Sequence, residues 1–407
     1  MTDLQTTTQR RTLRTLSASQ IIAGIGIAGA VPAGALLMYD VSGSEALSGL
    51  AQTFTVTGAA LMAIPLARLT SQGGRRRTVL TGYGIGAAGA FLAVAGGALR
   101  FIPLILAGTL LAGAATAAAY QLRFAAVDLA APDRRARDLA YVMWASTIGS
   151  VLGPNLLEWS GHNAELLNLP PLVGPYLFSG TMMVTSALVI AAFLRPDPYL
   201  LAVRLTGEEK PPPARNVRHA ITLIRSSVHA KIALGAIVTG HIAMVSIMVM
   251  TPVHMSHVDV SLRVIGLVIS LHVLGMYALA PLFGLLSDRW GRLRVIQVGV
   301  GTLLISAWIS ATAAADDART LGFGLFLLGI GWSMTMVSGS ALLADALPIE
   351  ERPTVQGASD LFMNGAGALG GALAGAVLAV AGYVAVCAVA VVPVLLLGIA
   401  TRWYDRP

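Results

Sequence analysis

"GLLSDRWGRLR", residues 284–294, is a charged turn set between long apolar runs, and the chain holds a second copy of it. "ARLTSQGGRRR" (67–77) aligns with it at an offset of 217, which puts Gly74 on Gly291, Arg75 on Arg292 and Arg77 on Arg294. The same offset puts Asp128 on Asp345, and Gly82 and Gly84 on Gly299 and Gly301. Separate segments that agree on one offset mark an internal repeat, and the halves flanking the turn can be read against each other.

Charged residues make up 12% of the chain and apolar residues 56%, where a soluble protein carries about 25% charged residues. An apolar run of about 20 residues crosses the hydrocarbon as a helix. Twelve can be read: 20–39, 47–67, 78–98, 102–123, 139–157, 174–194, 231–252, 263–283, 295–314, 320–343, 354–377 and 380–401. The expectation is an all-α membrane protein of twelve transmembrane helices in two six-helix pseudo-repeats. The 44 glycines suit close helix packing in lipid. The polar, basic opening "MTDLQTTTQRRTLRTLSASQ" leads into the first run with no convincing cleavage site, so that run is read as a retained helix. The single Cys387 forbids an intrachain disulfide and leaves the redox compartment open.

A net charge of +7 could point to nucleic acid, but its distribution excludes that reading. All but three of the 27 Lys/Arg fall in the termini and alternate loops, the exceptions being Arg100, Arg263 and Arg319. This is the positive-inside bias, and it places both termini in the cytoplasm. The Pro-rich, charged stretch 195–230 is then a cytoplasmic linker between an N-terminal half, 1–194, and a C-terminal half, 231–407, with 214–229 expected as a basic helix on the membrane surface. Six spans repeated in parallel is a transporter architecture, with the substrate site near midplane.

The turn "GLLSDRWGRLR" resembles the motif between the second and third helices of each half in the major facilitator superfamily. The resemblance covers essentially the whole chain and implies the major facilitator fold. In that family the acid and arginine of the motif hold one access state. Carried over, Gly284, Asp288, Gly291 and Arg292 are gating residues, with Asp345 as partner in the neighbouring loop. The first copy has Ser71 where the acid belongs, so Arg75–Arg77 are weighed equally as topological anchors. "GSVLGPN" (149–155) resembles the G-x-x-x-G-P motif of many exporters, but Leu157 and Glu158 replace the expected glycine pair, and the direction of transport stays open.

A second pattern is chemical. The window 244–255 holds four of the chain's 14 methionines, Met244, Met248, Met250 and Met255, and four of its seven histidines lie between His241 and His272. Met244-x-x-x-Met248 lies in the seventh span and His272-x-x-x-Met276 in the eighth. Residues four apart share a helix face. Counted from the span ends, Met244 and His272 stand about 12 Å deep at nearly one level. Thioethers are soft donors that select Cu(I), and Met250, His254, Met255 and His257 could collect an ion at the outer mouth. Packing alone also places Met between helices, whereas an ionisable group at depth, His272, is a functional candidate.

M-x-x-x-M in helix seven with H-x-x-x-M in helix eight resembles the CcoA-type copper importers of the superfamily, a group whose relatives include riboflavin importers. The resemblance implies Met244, Met248, His272 and Met276 as copper ligands. Copper is then the substrate, no cofactor is bound permanently, and the partners are membrane lipids with copper chaperones or oxidase assembly factors. It further implies a monomer in a bacterial inner membrane. The alternatives are an importer of an organic solute such as riboflavin, a proton-driven exporter, or a copper sensor without transport. For these, Arg123, Asp128, Asp360 and Asn364 are candidates for substrate binding or proton coupling, with Asp128 and Arg123 also weighed as a structural gate. No Walker loop, hydrolytic triad or zinc motif is present, so an enzyme is not expected.

The orientation is testable. With Cys387 removed, a cysteine at Gly207 should resist membrane-impermeant thiol reagents in intact cells while one at Ser261 reacts. Equal labelling would reverse the topology.

Overall fold

A computed structural model describes residues 3–43, 47, 50–205, 216–256, 258, 260 and 262–404. Every regular element among them is helical. Nine stretches are long and apolar enough to cross a membrane. Two of these, Leu50–Ala98 and Arg352–Tyr404, are double length and break at Gly74 and Gly382. Arg135–Asn155, continued by Leu157–Leu166, adds the fifth crossing and completes twelve. Helices satisfy their own backbone, which is why a chain this apolar folds this way in lipid.

The observed helices overrun several expected ends. The first begins at Asp3, so the polar opening is helical as well. The eighth crossing is broken, Leu262–Tyr277 then Ala280–Trp290. Pro281 explains the break, because it has no N–H to continue the ladder and its ring crowds the preceding turn. In the 195–230 stretch the described helices are Pro198–Leu205 and Val217–Ser226. Asp317 caps the Ala318–Asp345 helix by accepting from the Thr320 N–H at 3.1 Å and the Thr320 hydroxyl at 2.6 Å. Those hydrogen bonds hold its carboxyl below the ordinary carboxylate value.

Contacts sort the chain into two compact units. The first comprises Met1–Ala130, Ala145–Ala220 and Ile349–Leu361; the second comprises Ala131–Trp144, Ile221–Pro348 and Phe362–Pro407. The fifth and eleventh crossings each give their opening turns to the unit that does not hold the rest of their helix.

Each unit repeats one close approach. In the second, a Cβ on Gly284 would lie 2.6 Å from both the Ala136 carbonyl and the Ala140 methyl. In the first, a Cβ on Gly357 would lie 2.3 Å from the Ala67 methyl. Residues 67 and 284 differ by 217, as do 140 and 357, so the contact is the same and the glycine has changed sides. Gly74 and Gly291 begin the third and ninth crossings at φ 80° and 97°, in the left-handed region that side chains with a Cβ avoid. That requirement accounts for glycine at both aligned positions.

Within the first unit, Gly58 packs where a Cβ would come 1.8 Å from the Leu110 carbonyl. Gly58→Leu should lower the unfolding temperature in detergent, with a loss of at least about 1–3 kcal/mol from overpacking. Gly84→Ala, at a position with nothing within 4 Å of the new Cβ, should leave it unchanged.

Candidate functional site

The first unit buries two arginines and two aspartates in one hydrogen-bonded network. Arg75, with no solvent exposure, sits one residue past the Gly74 turn. Its Nε donates to Asp128 Oδ2 at 2.8 Å and its Nη2 to Asp128 Oδ1 at 3.2 Å. Nη1 donates to Gln121 Oε1 at 2.8 Å, and Nη2 also donates to Gln356 Oε1 at 2.6 Å. Gln121 passes the network on, its Nε2 donating to Asp360 Oδ2 at 3.0 Å. Asp360 Oδ1 accepts from Arg123 Nη2 at 2.5 Å. Arg123 also lies over the rings of Phe124 and Tyr120, at 4.6 and 5.5 Å to their centroids.

Asp128 pairs with Arg75 and not with Arg123, whose partner is Asp360. The fork geometry of Arg75 fits the Asp128 carboxylate in two bonds. Arg76 is also engaged: its guanidinium donates to the Ala191 carbonyl at 2.8 Å and its N–H to Asp197 at 2.7 Å. Only Arg77 of the three is exposed. Asp197 stands against Gly74 and accepts from the Tyr199 and Leu200 N–H groups as well. Burial pushes its carboxyl up, and the backbone N–H of Arg76 and Leu200 pull it back.

The network is not fully spent. Arg123 Nε, Gln356 Nε2 and Ser359 Oγ are buried with no hydrogen-bond partner among the described residues. Buried polar groups are nearly always paired, so these atoms call for an explanation. Three residues also break the repeat: at the offset of 217, Gln121, Arg123 and Asp360 fall on Ser338, Ser340 and Met143. Asn364, one turn beyond Asp360, is buried in the second unit.

The second unit holds the other copy of the charged turn. Asp288 accepts from the N–H groups of Ala136 and Arg137 at 3.1 and 2.8 Å, capping the Arg135–Asn155 helix. Arg292 pairs with Asp288, with Asp345 at 3.1 Å and with the Pro132 carbonyl at 2.7 Å. Arg135 adds a 2.5 Å bond to Asp345. Arg292–Asp345 is therefore the repeat mate of Arg75–Asp128. Ser71, standing for the acid, donates to the Arg68 carbonyl at 2.8 Å, while Pro353 relieves the aligned helix start of one N–H.

The methionine and histidine pairs lie in the second unit, on Val228–Ser256 and Leu262–Tyr277. Each helix packs on the Ala318–Asp345 helix, with few close approaches between the two. Met244 and Met276 are buried and Met248 is half-buried. His272 is fully buried, with Nδ1 2.8 Å from the Leu325 carbonyl. A carbonyl can only accept, so Nδ1 carries a proton, and in the neutral ring Nε2 presents its lone pair. That Nε2 is buried with no hydrogen-bond partner among the described residues. His241 accepts from Trp332 Nε1 at 3.3 Å. At the expected outer mouth the helix runs to Ser256, Met250 and Met255 are buried, and His254 stacks on Tyr383 at 4.3 Å. His257 lies outside the described residues.

Sequence reasoning passed over Gln121, Gln356 and Asp197. Gln121 sits two residues from the noted Arg123, but only packing turns it toward Asp360. The Arg75–Asp128 pair was available from the repeat, because both residues align with the Arg292–Asp345 pair.

Residues 16–261 and 232–407 match the family model described as Major Facilitator Superfamily. The chain is 34% identical to the MFS-type transporter YddS of Bacillus subtilis, over 98% of this chain and 91% of that protein. It is 28% identical to the riboflavin transporter RfnT of Brucella anthropi, over 94% and 92%. The fold is also that of the human organic anion transporter MFSD10, with a TM-score of 0.78 at 18% identity over 97% of this chain and 99% of that one.

Removing one partner of a buried ion pair costs about 3–5 kcal/mol, because the other charge is left unmatched. Asp128→Asn should therefore lower the unfolding temperature more than Asp40→Asn, whose pairing with Arg100 is exposed, as read by thermal unfolding in detergent.

Proposed function

Because the chain belongs to the Major Facilitator Superfamily, we propose that it is a secondary transporter of a small organic solute bearing hydrogen-bond acceptor oxygens, with Arg123 and Asp360 at its binding or coupling site. As a member of that family it is a multi-pass membrane transport protein and not an enzyme. The observation that carries the reading is the unspent donor set at Arg123 Nε, Gln356 Nε2 and Ser359 Oγ beside a buried carboxylate. Donors already held in a buried site can bind a solute's carbonyl, carboxylate or hydroxyl oxygens with little reorganisation. Their absence from the other repeat fits a role in recognition, which one half can supply alone. The relative RfnT, a riboflavin transporter, makes riboflavin the first solute to try. Alternating access then rests on the two charged turns, with Asp288, Arg292 and Asp345 as the gate of one repeat and Arg75 and Asp128 as that of the other. The proposed setting is a bacterial inner membrane, with both termini cytoplasmic and a monomer as the working unit.

A second reading, Cu(I) uptake, keeps one specific observation: the unpartnered lone pair of His272, four residues from Met276. The two readings separate cleanly. In proteoliposomes, Arg123→Gln and Asp360→Asn should reduce riboflavin uptake at least about tenfold, the effect of losing roughly 1.4 kcal/mol. Met244→Leu, Met248→Leu and Met276→Leu should keep it, since Met-to-Leu swaps usually cost under about 1.5 kcal/mol. Copper uptake that is lost in the Leu variants and kept in the other two would reverse the assignment.

A further inference from the structure

Two basic cavities play no part in the transport reading. The larger, about 690 Å³, lies in the second unit between the Arg292–Thr312 helix and the end of the Arg352–Tyr404 helix. Its walls include Trp290, Arg294, Gln297, Leu304, Leu395 and Arg402. The smaller, about 390 Å³, lies in the first unit beside Arg77 and Arg195. They are repeat mates in position. Arg77 and Arg294 differ by 217, and Arg195 and Arg402 each stand at the end of the sixth span of their half.

The larger cavity has the two-part character of a lipid. At one end, Arg294 and Arg402 are exposed and have no ion pair or hydrogen bond among the described residues. Trp290 stands beside them, half exposed, a residue type that settles at the membrane–water interface. The floor is held by Gln297, whose Nε2 donates to the Thr401 carbonyl at 3.4 Å. Toward the other end the lining turns aliphatic. From Arg294 to Leu304 the helix rises about 15 Å, half of a hydrocarbon core of about 30 Å. The space beside Gly301 is open, since a Cβ there would meet nothing within 4 Å.

We propose that this groove binds one anionic phospholipid, with its headgroup phosphate on Arg294 and Arg402 and an acyl chain along Gly301 toward Leu304 and Leu395. The charge is complementary, and the groove's length matches one leaflet. The smaller cavity is not equivalent in chemistry. Its walls carry the Asp197 carboxylate, and the guanidinium of its Arg76 is already bonded to the Ala191 carbonyl. An anionic headgroup is therefore favoured in the second unit over the first.

The test titrates the purified full-length protein in neutral detergent with phosphatidylglycerol or phosphatidylcholine, followed by thermal unfolding and native mass spectrometry. Phosphatidylglycerol should bind and raise Tm, and phosphatidylcholine should not. A basic residue near an anionic lipid surface is worth about fivefold in affinity, so Arg294→Gln with Arg402→Gln should move the titration midpoint about 25-fold. Gly301→Leu, which fills the groove and leaves both arginines, should weaken binding as well. Glycerol phosphate at millimolar concentration should not compete, because it lacks the chain. The proposal fails if both variants titrate like the wild type or if glycerol phosphate displaces the lipid. It also fails if Arg77→Gln with Arg195→Gln abolishes binding instead.

Discussion

A guanidinium with no solvent contact has to find all its partners in protein, and Arg75 does so through Asp128, Gln121 and Gln356. The carboxylate matches its charge and takes two of its five N–H donors, and the two glutamine carbonyls take two more. Around this one side chain the local architecture follows. The backbone must turn at Gly74 to aim Arg75 inward, and a Cβ at Gly74 would strike the Asp197 carboxyl. Gln121, held by Arg75 through its oxygen, is left with its nitrogen facing Asp360. The charge of Arg75 thus orients the carboxylate that Arg123 meets, two hydrogen bonds away.

The repeats diverge where chemistry would require it. Arg75–Asp128 and Arg292–Asp345 are kept at one offset, as is the close packing at Ala67–Gly357 and Gly284–Ala140. Gln121, Arg123 and Asp360 have only hydroxyls and a thioether at the aligned positions. The Arg123–Asp360 pair is thus buried charge that the other repeat does not carry. The same asymmetry appears in the basic cavities: one is lined by a carboxylate, and the other, among the described residues, is not.

In the second unit the Ala318–Asp345 helix is the seat for its neighbours. Gly329 lets the His272–Met276 turn approach, since a Cβ there would lie 2.4 Å from the His272 carbonyl. Thr335 meets Gly240 in the same way, and Trp332 reaches His241. The methionine and histidine pairs are arranged by packing on this third helix. Their equal depth along the sequence therefore does not by itself make a shared ligand set.

The fold was legible in the chain alone, for a physical reason. In lipid the backbone has few options, so long apolar runs read as helices, and the Gly–Arg turn repeated at 217 residues divides them into two sets of six. The helix at the polar opening and the break at Pro281 were missed because hydropathy does not register helix ends. Asp288, Arg292 and Asp345 could be singled out from the turn and its repeat, and in the structure Arg292 pairs with both acids. What the sequence could not decide was pairing. Asp128 has Arg123 and Arg75 as candidates, one near in sequence and one far, and only tertiary packing selects the distant Arg75. Gln121 and Gln356 are ordinary polar residues in helices until the fold turns them toward buried charge. Helix periodicity specifies which residues share a face; which face meets which is set by side-chain volume and charge across helices distant in sequence, and that information exists only in the folded chain.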